Sequence, residues 1–390
     1  MSADPLAAPR FGAGPAFAVG VEDELLLVDP HTHALSHTAV EVLERITVPD
    51  AEGTAKPDTY AAMIELTTPI SHSAGEASAA LARLRGRVRE AGGTVIGAGV
   101  HPDGAFGDVV HFPAERYRLL ERMMRGLLWR TPTGALHVHV GMPDAATAMR
   151  AFNGLREHLP VLGALAANSP FWHGRDSGLQ SGRTPMFRGY RGAELPRAFH
   201  DYDEYAATMA ATVAAGDLPD YTFLYWDVRP HPKLGTVEVR AMDAQASLWS
   251  IGAIAALIRA LARREAERPG AAEIGGDGVP REALVEASFA AARDGLDARL
   301  PMDGALRPAR EVVAATLELA RPHARDLGSE DALAGVERIL AEGNGADRQR
   351  AAFARGGMDA VLHLLVAEAE ADLRRDPTGT RRPGRRGGAR

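Results

Sequence analysis

Glu22 and Glu24 lie two residues apart in the stretch Val19–Val28, VGVEDELLLV. On a β-strand that spacing puts both carboxylates on one face, with Gly20, while Val19, Val21, Leu25 and Leu27 point the other way. Two carboxylates about 7 Å apart repel each other unless a cation lies between them. The plainer alternative is a solvent-facing antiparallel strand with its charges outward. Asp23 breaks the alternation and is expected near a strand end or bulge.

Two further stretches repeat the pattern. In Ala135–Gly141, ALHVHVG, His137 and His139 share a face opposite Leu136, Val138 and Val140. In TVEVRAM, Glu238 and Arg240 share a face opposite Val237, Val239 and Ala241. Glu65 in IELTTP is a fourth strand-borne acid, and Asp58 follows Pro57 in a loop able to fold back towards it. One His-x-His says little, but three strands with ligand-type residues out of phase with apolar ones point to an antiparallel sheet carrying metal on one face. Oxygen donors with one or two imidazoles suit Mg²⁺ or Mn²⁺ better than zinc. The number of acids exceeds the need of one ion, which points to two or more. Carboxylate-bound Mg²⁺ commonly holds nucleotide phosphates, and Arg240 would be the catalytic group stabilising a transferring phosphoryl group.

Other chemistries are excluded. The 390 residues contain no cysteine, which removes disulfides, thiolate nucleophiles and Cys-ligated metal, and fits a cytoplasmic protein. Lys56 and Lys233 are the only lysines, and neither has the setting of a P-loop lysine. Gly97-Ala98-Gly99 lacks the third glycine and the helix of a dinucleotide fingerprint. A net charge of −7 argues against nucleic acid as a partner, and no apolar run is long enough to span a membrane. His31, His33 and His37 read as turn chemistry rather than metal ligands.

The elements that must position these residues follow in order. Residues 1–14 are expected to be disordered. Ser73 and Glu76 form a capping box for a helix to about Ala91. An amphipathic helix is predicted over Pro113 to Trp129, and another from Asp144 to about His158. The Gly-rich loop Asn168 to Arg183, with Trp172 and Arg175, suits an anionic substrate; Asn168, Trp172, Arg183 and Arg229 are the expected substrate contacts. Thr222 to Val239 reads as a hairpin, and Trp249 to Arg264 as an apolar helix. A single catalytic domain spans 15–373: a sheet core (15–268), then a packed helical part (269–373) that opens on a flexible link and breaks near Pro301, Pro322 and Gly343. The Arg/Gly-rich tail 374–390 is expected to be disordered and solvated.

Taken together, GVEDE, IELTTP, LHVHVG, ANSPFW, YWDVRPHPKLGTVEVRAMD and NGADRQRAAFARGG resemble the bacterial carboxylate–amine ligases of the glutamate–cysteine ligase type 2 family, in order from about Phe17 to Glu368. That family is related to glutamine synthetase. The resemblance implies an α+β fold with a curved antiparallel sheet, a metal and ATP site on its concave face, and helices behind. It also implies ATP-dependent amide formation through an acyl phosphate, joining a glutamate-like carboxylate to a small amine; a homo-oligomer is compatible with it. Carried over residue by residue, Glu22, His137 and Glu238 would hold the ion on the ATP phosphates. Glu24 and Glu65, with Asp58 seven residues before it, would hold an ion nearer the acceptor, and Arg240 would contact the transferring phosphoryl group. The chain departs from typical members in RTPTGALHVHVG and SGRT, where substrate side chains should lie. The rival readings are a metal-dependent hydrolase on the same sheet and a non-catalytic nucleotide or amino-acid binder.

Overall fold

A computed structural model describes residues 6–268 and 279–371. The strands are β1 (Val19–Val28), β2 (Thr54–Pro57), β3 (Met63–Thr67), β4 (Thr94–Ile96), β5 (Ala135–Gly141), β6 (Phe171–Trp172), β7 (Arg175–Asp176), β8 (Val228–His231), β9 (Thr236–Asp243), β10 (Arg299–Met302) and β11 (Ala305–Pro308). The helices are α1 (Ala39–Arg45), α2 (Ala74–Glu90), α3 (Glu115–Met124), α4 (Ala145–Ala166), α5 (Arg183–Phe187), α6 (Tyr202–Gly216), α7 (Leu248–Glu267), α8 (Arg281–Asp294), α9 (Ala309–Asp326), α10 (Ala334–Glu342) and α11 (Gly345–Ala371).

A seven-stranded sheet runs β2-β3-β1-β5-β9-β8, with β4 paired to β1, and every pairing is antiparallel. β1 is central because its two ends serve different neighbours. Val19–Asp23 pair with β5, and Leu26–Val28 pair with β4. Its odd-numbered apolar residues are buried with Leu136, Val138, Val140, Val237 and Val239 against α2, α4 and α7. Helices α8, α9 and α10 pack in turn on α4 and α7, and one hydrophobic core runs through all of them. No helix among the described residues is long and apolar enough to cross a membrane.

Several elements differ from the sequence reading for identifiable reasons. Asp23 sits in mid-strand, fully buried, 2.8 Å from the Arg85 guanidinium of α2. Arg85 also donates to the Gln245 and Ala246 carbonyls. A charge on the apolar face is tolerated because its counter-charge is supplied by the helix that covers it. Residues 6–14, expected to be disordered, are pinned: the Arg10 amide donates to the Pro232 carbonyl and the Gly12 amide to that of Met142. The helix expected to end at Trp129 stops at Met124, where Arg125 takes a positive φ, and a 3₁₀ turn continues to Trp129. Helix α4 runs past His158 to Ala166, and Pro322 sits inside α9 without ending it. Around Pro301 the chain forms the β10–β11 hairpin instead of a helix break. Of the hairpin expected over 222–239, only Val228–His231 and Thr236 onward are strand, and Tyr221–Phe223 is a 3₁₀ turn. Residues 1–5, the expected flexible link 270–278 and the tail 374–390 lie outside the described residues.

Breaking a buried ion pair from one side leaves the other charge unpaired and typically costs about 3–5 kcal/mol. Arg85→Ala should therefore lower the unfolding free energy by about that much, read as a shifted denaturant midpoint at unchanged slope. A change within experimental error would mean that Asp23 is accommodated without its partner.

Candidate metal and nucleotide site

The pairing register aligns the polar residues across the strands. Glu24 faces Glu65, and Glu65 faces Lys56; Glu22 faces His137; His139 faces Glu238, and Glu238 faces Arg229. Directly opposed residues in an antiparallel pair stand about 4.5–5.5 Å apart, so like charges here are forced together. Two clusters result. In Glu22, His137 and Glu238 one ligand atom from each lies within 4.8 Å of the others, and the same holds for Glu24, Asp58 and Glu65. Asp58 reaches the second cluster from the loop between β2 and β3, where its carboxylate accepts the Thr59 amide at 2.5 Å.

The clusters differ in electrostatics. Burial alone would raise the Glu22 pKa, but the hydrogen bond with His137 and the nearby His139 imidazole outweigh it and hold it well below the usual range. Burial likewise opposes ionisation of Glu238, and the Arg229 and Arg240 guanidinium groups overcome it. Burial, helped by Arg240, lowers the His137 pKa to about 4, which leaves a neutral imidazole of the kind that ligates metal. In the second cluster burial pushes Glu65 up to about 8, with Glu22 and Asp58 adding repulsion against the pull of Lys56. Burial also raises Glu24 well above the ordinary range, and Asp58 above it. Such acids either hold protons or share a cation. Three oxygen donors in one place, and two carboxylates with a neutral imidazole in the other, are donor sets that hard divalent ions accept.

The clusters lie between two openings. On one side a cavity of about 90 Å³ is lined by Glu24, Asp58, Tyr60, His137, Arg183 and Arg240, among others. On the other a crevice of about 210 Å³ is lined by Gly20, Glu22, His139, Ile70 and Leu234, with backbone and small side chains between. Glu22 opens on the crevice and its partner His137, 3.0 Å away, on the cavity. Arg240 donates to Glu238, approaches His137 Nδ1 at 3.4 Å and reaches the cavity.

A family model for "Glutamate-cysteine ligase family 2" matches residues 18–366. The chain belongs to this family. A Rubrobacter xylanophilus protein named "Putative glutamate--cysteine ligase 2-3" is 40% identical over 375 residues, covering 93% of this chain and 99% of that protein. A Gloeobacter violaceus protein of like name, "Putative glutamate--cysteine ligase 2", is 34% identical over 373 residues, covering 93% and 98%. The crystal structure of glutamate–cysteine ligase from Francisella tularensis in complex with AMP superposes with a TM-score of 0.67 at 12% identity, over 91% of this chain and 88% of that one. That likeness concerns the fold.

Within this ligase family fold, the residues expected to contact substrate divide. Arg183 lines the cavity, stacks on Phe187 at 4.9 Å and leaves its buried Nε without a partner. Arg229 does not face the cavity. It donates to Glu238 at 2.7 Å and to the Leu224 carbonyl at 2.9 Å, so its role is to hold Glu238. Asn168 is fully committed to the scaffold: its amide nitrogen donates to the Gly97 and Ala244 carbonyls, and its oxygen accepts from Gln349. Trp172 packs beside His173 and lines neither opening. His139 stands outside both clusters, with Nδ1 3.0 Å from the Thr236 hydroxyl and Nε2 3.5 Å from Glu22.

Residues not anticipated include Tyr60 and Tyr190, whose hydroxyls meet at 3.3 Å in the cavity wall, and Asp243, which binds the loop 168–183 at its neck. The Asp243 carboxylate accepts from the Asn168 amide and from the Ser169 and Ser181 hydroxyls, and Ser169 Oγ receives the Arg183 amide. A Cβ on Gly99 would stand 2.5 Å from the Asp243 carboxyl carbon, and one on Gly97 2.1 Å from the Gln245 carbonyl oxygen. The Gly-x-Gly pair is therefore a close backbone approach.

Raised folded-state pKa values in the second cluster make the metal-free protein most stable where those acids are protonated. That contribution is lost as pH rises from about 4.5 to about 8. Up to about pH 6.5 that loss is opposed by the buried imidazoles of His137 and His231, whose folded-state pKa values are lowered to about 4 and about 3, so that the stability they contribute rises with pH. Between about pH 6.5 and about 8 the melting temperature measured in chelator should therefore fall, Mg²⁺ should restore it at the upper end, and Glu24→Gln should flatten the fall. A metal-free melting temperature that is flat or rising between those two pH values contradicts the crowding of these acids.

Proposed function

We propose that the chain is an ATP-dependent carboxylate–amine ligase that forms an amide through an acyl phosphate. The observation that carries this reading is the position of Arg240, held against Glu238 of one cluster and opening on the cavity beside Glu24 and Asp58 of the other. Glu22, His137 and Glu238 would hold one Mg²⁺ or Mn²⁺, and Glu24, Asp58 and Glu65 another. The ions would neutralise triphosphate and acceptor charge. The crevice, with Ile70 and Leu234 exposed at its rim, suits the nucleoside end of ATP, and the cavity suits the acceptor carboxylate.

In that arrangement an acceptor carboxylate oxygen attacks the γ-phosphorus and ADP leaves. Charge develops on the phosphoryl oxygens, and the guanidinium of Arg240, already oriented by Glu238, meets it without reorganising. The amine then attacks the acyl carbon, and phosphate departs with one former carboxylate oxygen. Arg229 keeps Glu238 in place throughout. Enclosure by Tyr60, Tyr190 and the apolar wall would keep water from the acyl phosphate.

Two outcomes are expected. Calorimetry should show ATP binding with Mg²⁺ and a loss of at least tenfold in affinity in chelator, because anionic side chains oppose a bare triphosphate. Undiminished affinity in chelator would overturn the bridging-cation model. Arg240→Ala should retain the fold and most ATP affinity but lose about 10²–10³ in ADP formation, the usual effect of removing one oriented charge donor. Arg240→Lys should recover little, since a point charge does not reproduce the planar fork. Near wild-type turnover by Arg240→Ala would remove phosphoryl transfer from its role.

A further inference from the structure

The wall of the acceptor cavity has an uneven charge composition. Among the described residues that line it, the acids are Glu24 and Asp58, both in the second metal cluster, and the cations are Arg183 and Arg240. Asp227, the acid next to Arg183 in an adjoining pocket, is saturated by the Arg188 guanidinium, which donates to both its oxygens. The remaining wall is neutral: Met63, Leu120, Met124 and Leu128 with Phe187 and three tyrosine rings, the hydroxyls of Thr59 and Thr133, and the His137 imidazole, which burial keeps uncharged. The Tyr60 hydroxyl is already committed, donating to the Leu128 carbonyl at 3.0 Å.

An ammonium group placed in this cavity would be desolvated with no free carboxylate to pair with, and would face two guanidinium groups. Buried charge without a partner is strongly disfavoured. Size restricts the occupant further. An engineered apolar cavity of about 150 Å³ takes one benzene ring, so about 90 Å³ suits a short aliphatic body.

Resting on the ligase reading above, we propose that the acceptor is a short aliphatic carboxylic acid without an α-ammonium group, rather than an amino acid. Its carboxylate lies towards Glu24, Asp58 and Arg240, and its chain lies against Met63, Leu120, Met124 and Leu128. Arg183 adds positive charge beside the reacting carboxylate and excludes a cationic substituent there.

The test uses hydroxylamine as the amine, which removes the need to know the natural one. The acid's oxygen takes the γ-phosphoryl group of ATP and releases ADP. Hydroxylamine nitrogen then attacks the acyl carbon, releasing phosphate and a proton and leaving a hydroxamate, which is measured as its ferric complex. Wild-type protein with Mg²⁺-ATP would be given butanoate against L-2-aminobutanoate, 4-methylpentanoate against L-leucine, and L-glutamate. Metal-dependent ATP binding would be followed by calorimetry in parallel. The amine-free acid of each pair should show at least tenfold higher kcat/KM, and should exceed L-glutamate. Equal or better turnover of the amino acids, or of L-glutamate, overturns the proposed acceptor class while the ligase reading stands. Metal-dependent ATP binding with no hydroxamate from any acid also overturns the acceptor class. Absence of both ATP binding and turnover overturns the ligase reading itself.

Discussion

Three consecutive acids on one strand cannot share a side, and the site depends on how Glu22, Asp23 and Glu24 are divided. Asp23 turns to the covered face and is held by Arg85, which also grips the backbone after β9 through the Gln245 and Ala246 carbonyls. Glu22 and Glu24 are thereby committed to the open face. A one-residue slip of β1 would exchange the faces, burying two unpaired carboxylates and exposing Val21 and Leu25. The buried pair thus specifies the register that places Glu22 opposite His137 and Glu24 opposite Glu65. The crowding this imposes is the source of the raised pKa values around Glu65.

The parts of the site that follow strand periodicity were legible in the sequence, because side-chain alternation is a local property. Glu22, Glu24, Glu65, His137, Glu238 and Arg240 share a face by parity alone, and the register then sorts five of them into the two clusters. Asp58 was legible only as a loop residue near Glu65. Asp23 was not, because its acceptability depends on Arg85, 62 residues away. Arg229 has the parity of a site residue, but its donors are taken by Glu238 and by carbonyls of an irregular segment. Parity reports a face, not which groups are already satisfied. Tyr60 and Tyr190 carry no local pattern, and 130 residues separate them.

The loop 168–183 shows the same limit on a larger scale. Its Gly and Arg content points to an irregular loop that binds an anionic substrate, and long-range bonds that no local pattern shows fasten it from both sides. Asp243 closes its neck, and the NGADRQR segment supplies a second set of bonds: Gln349 to Asn168, Asp347 to Gln180, and Arg350 to Asp176 and the Leu179 carbonyl. Arg183, at the start of α5, is therefore presented by a rigid frame built from β9 and α11. An oriented cation in a cavity needs such a frame, since a mobile guanidinium would instead collapse onto Glu24.

In the proposed ligase, one face of this sheet would hold two separate divalent ions, one in each cluster. Titration with Mn²⁺ in the presence of ATP, followed by electron paramagnetic resonance, counts them directly. At least two Mn²⁺ should bind per wild-type chain, with one lost in Glu238→Gln and a different one lost in Glu65→Gln. A single ion per chain, or a stoichiometry that neither substitution alters, would contradict this arrangement.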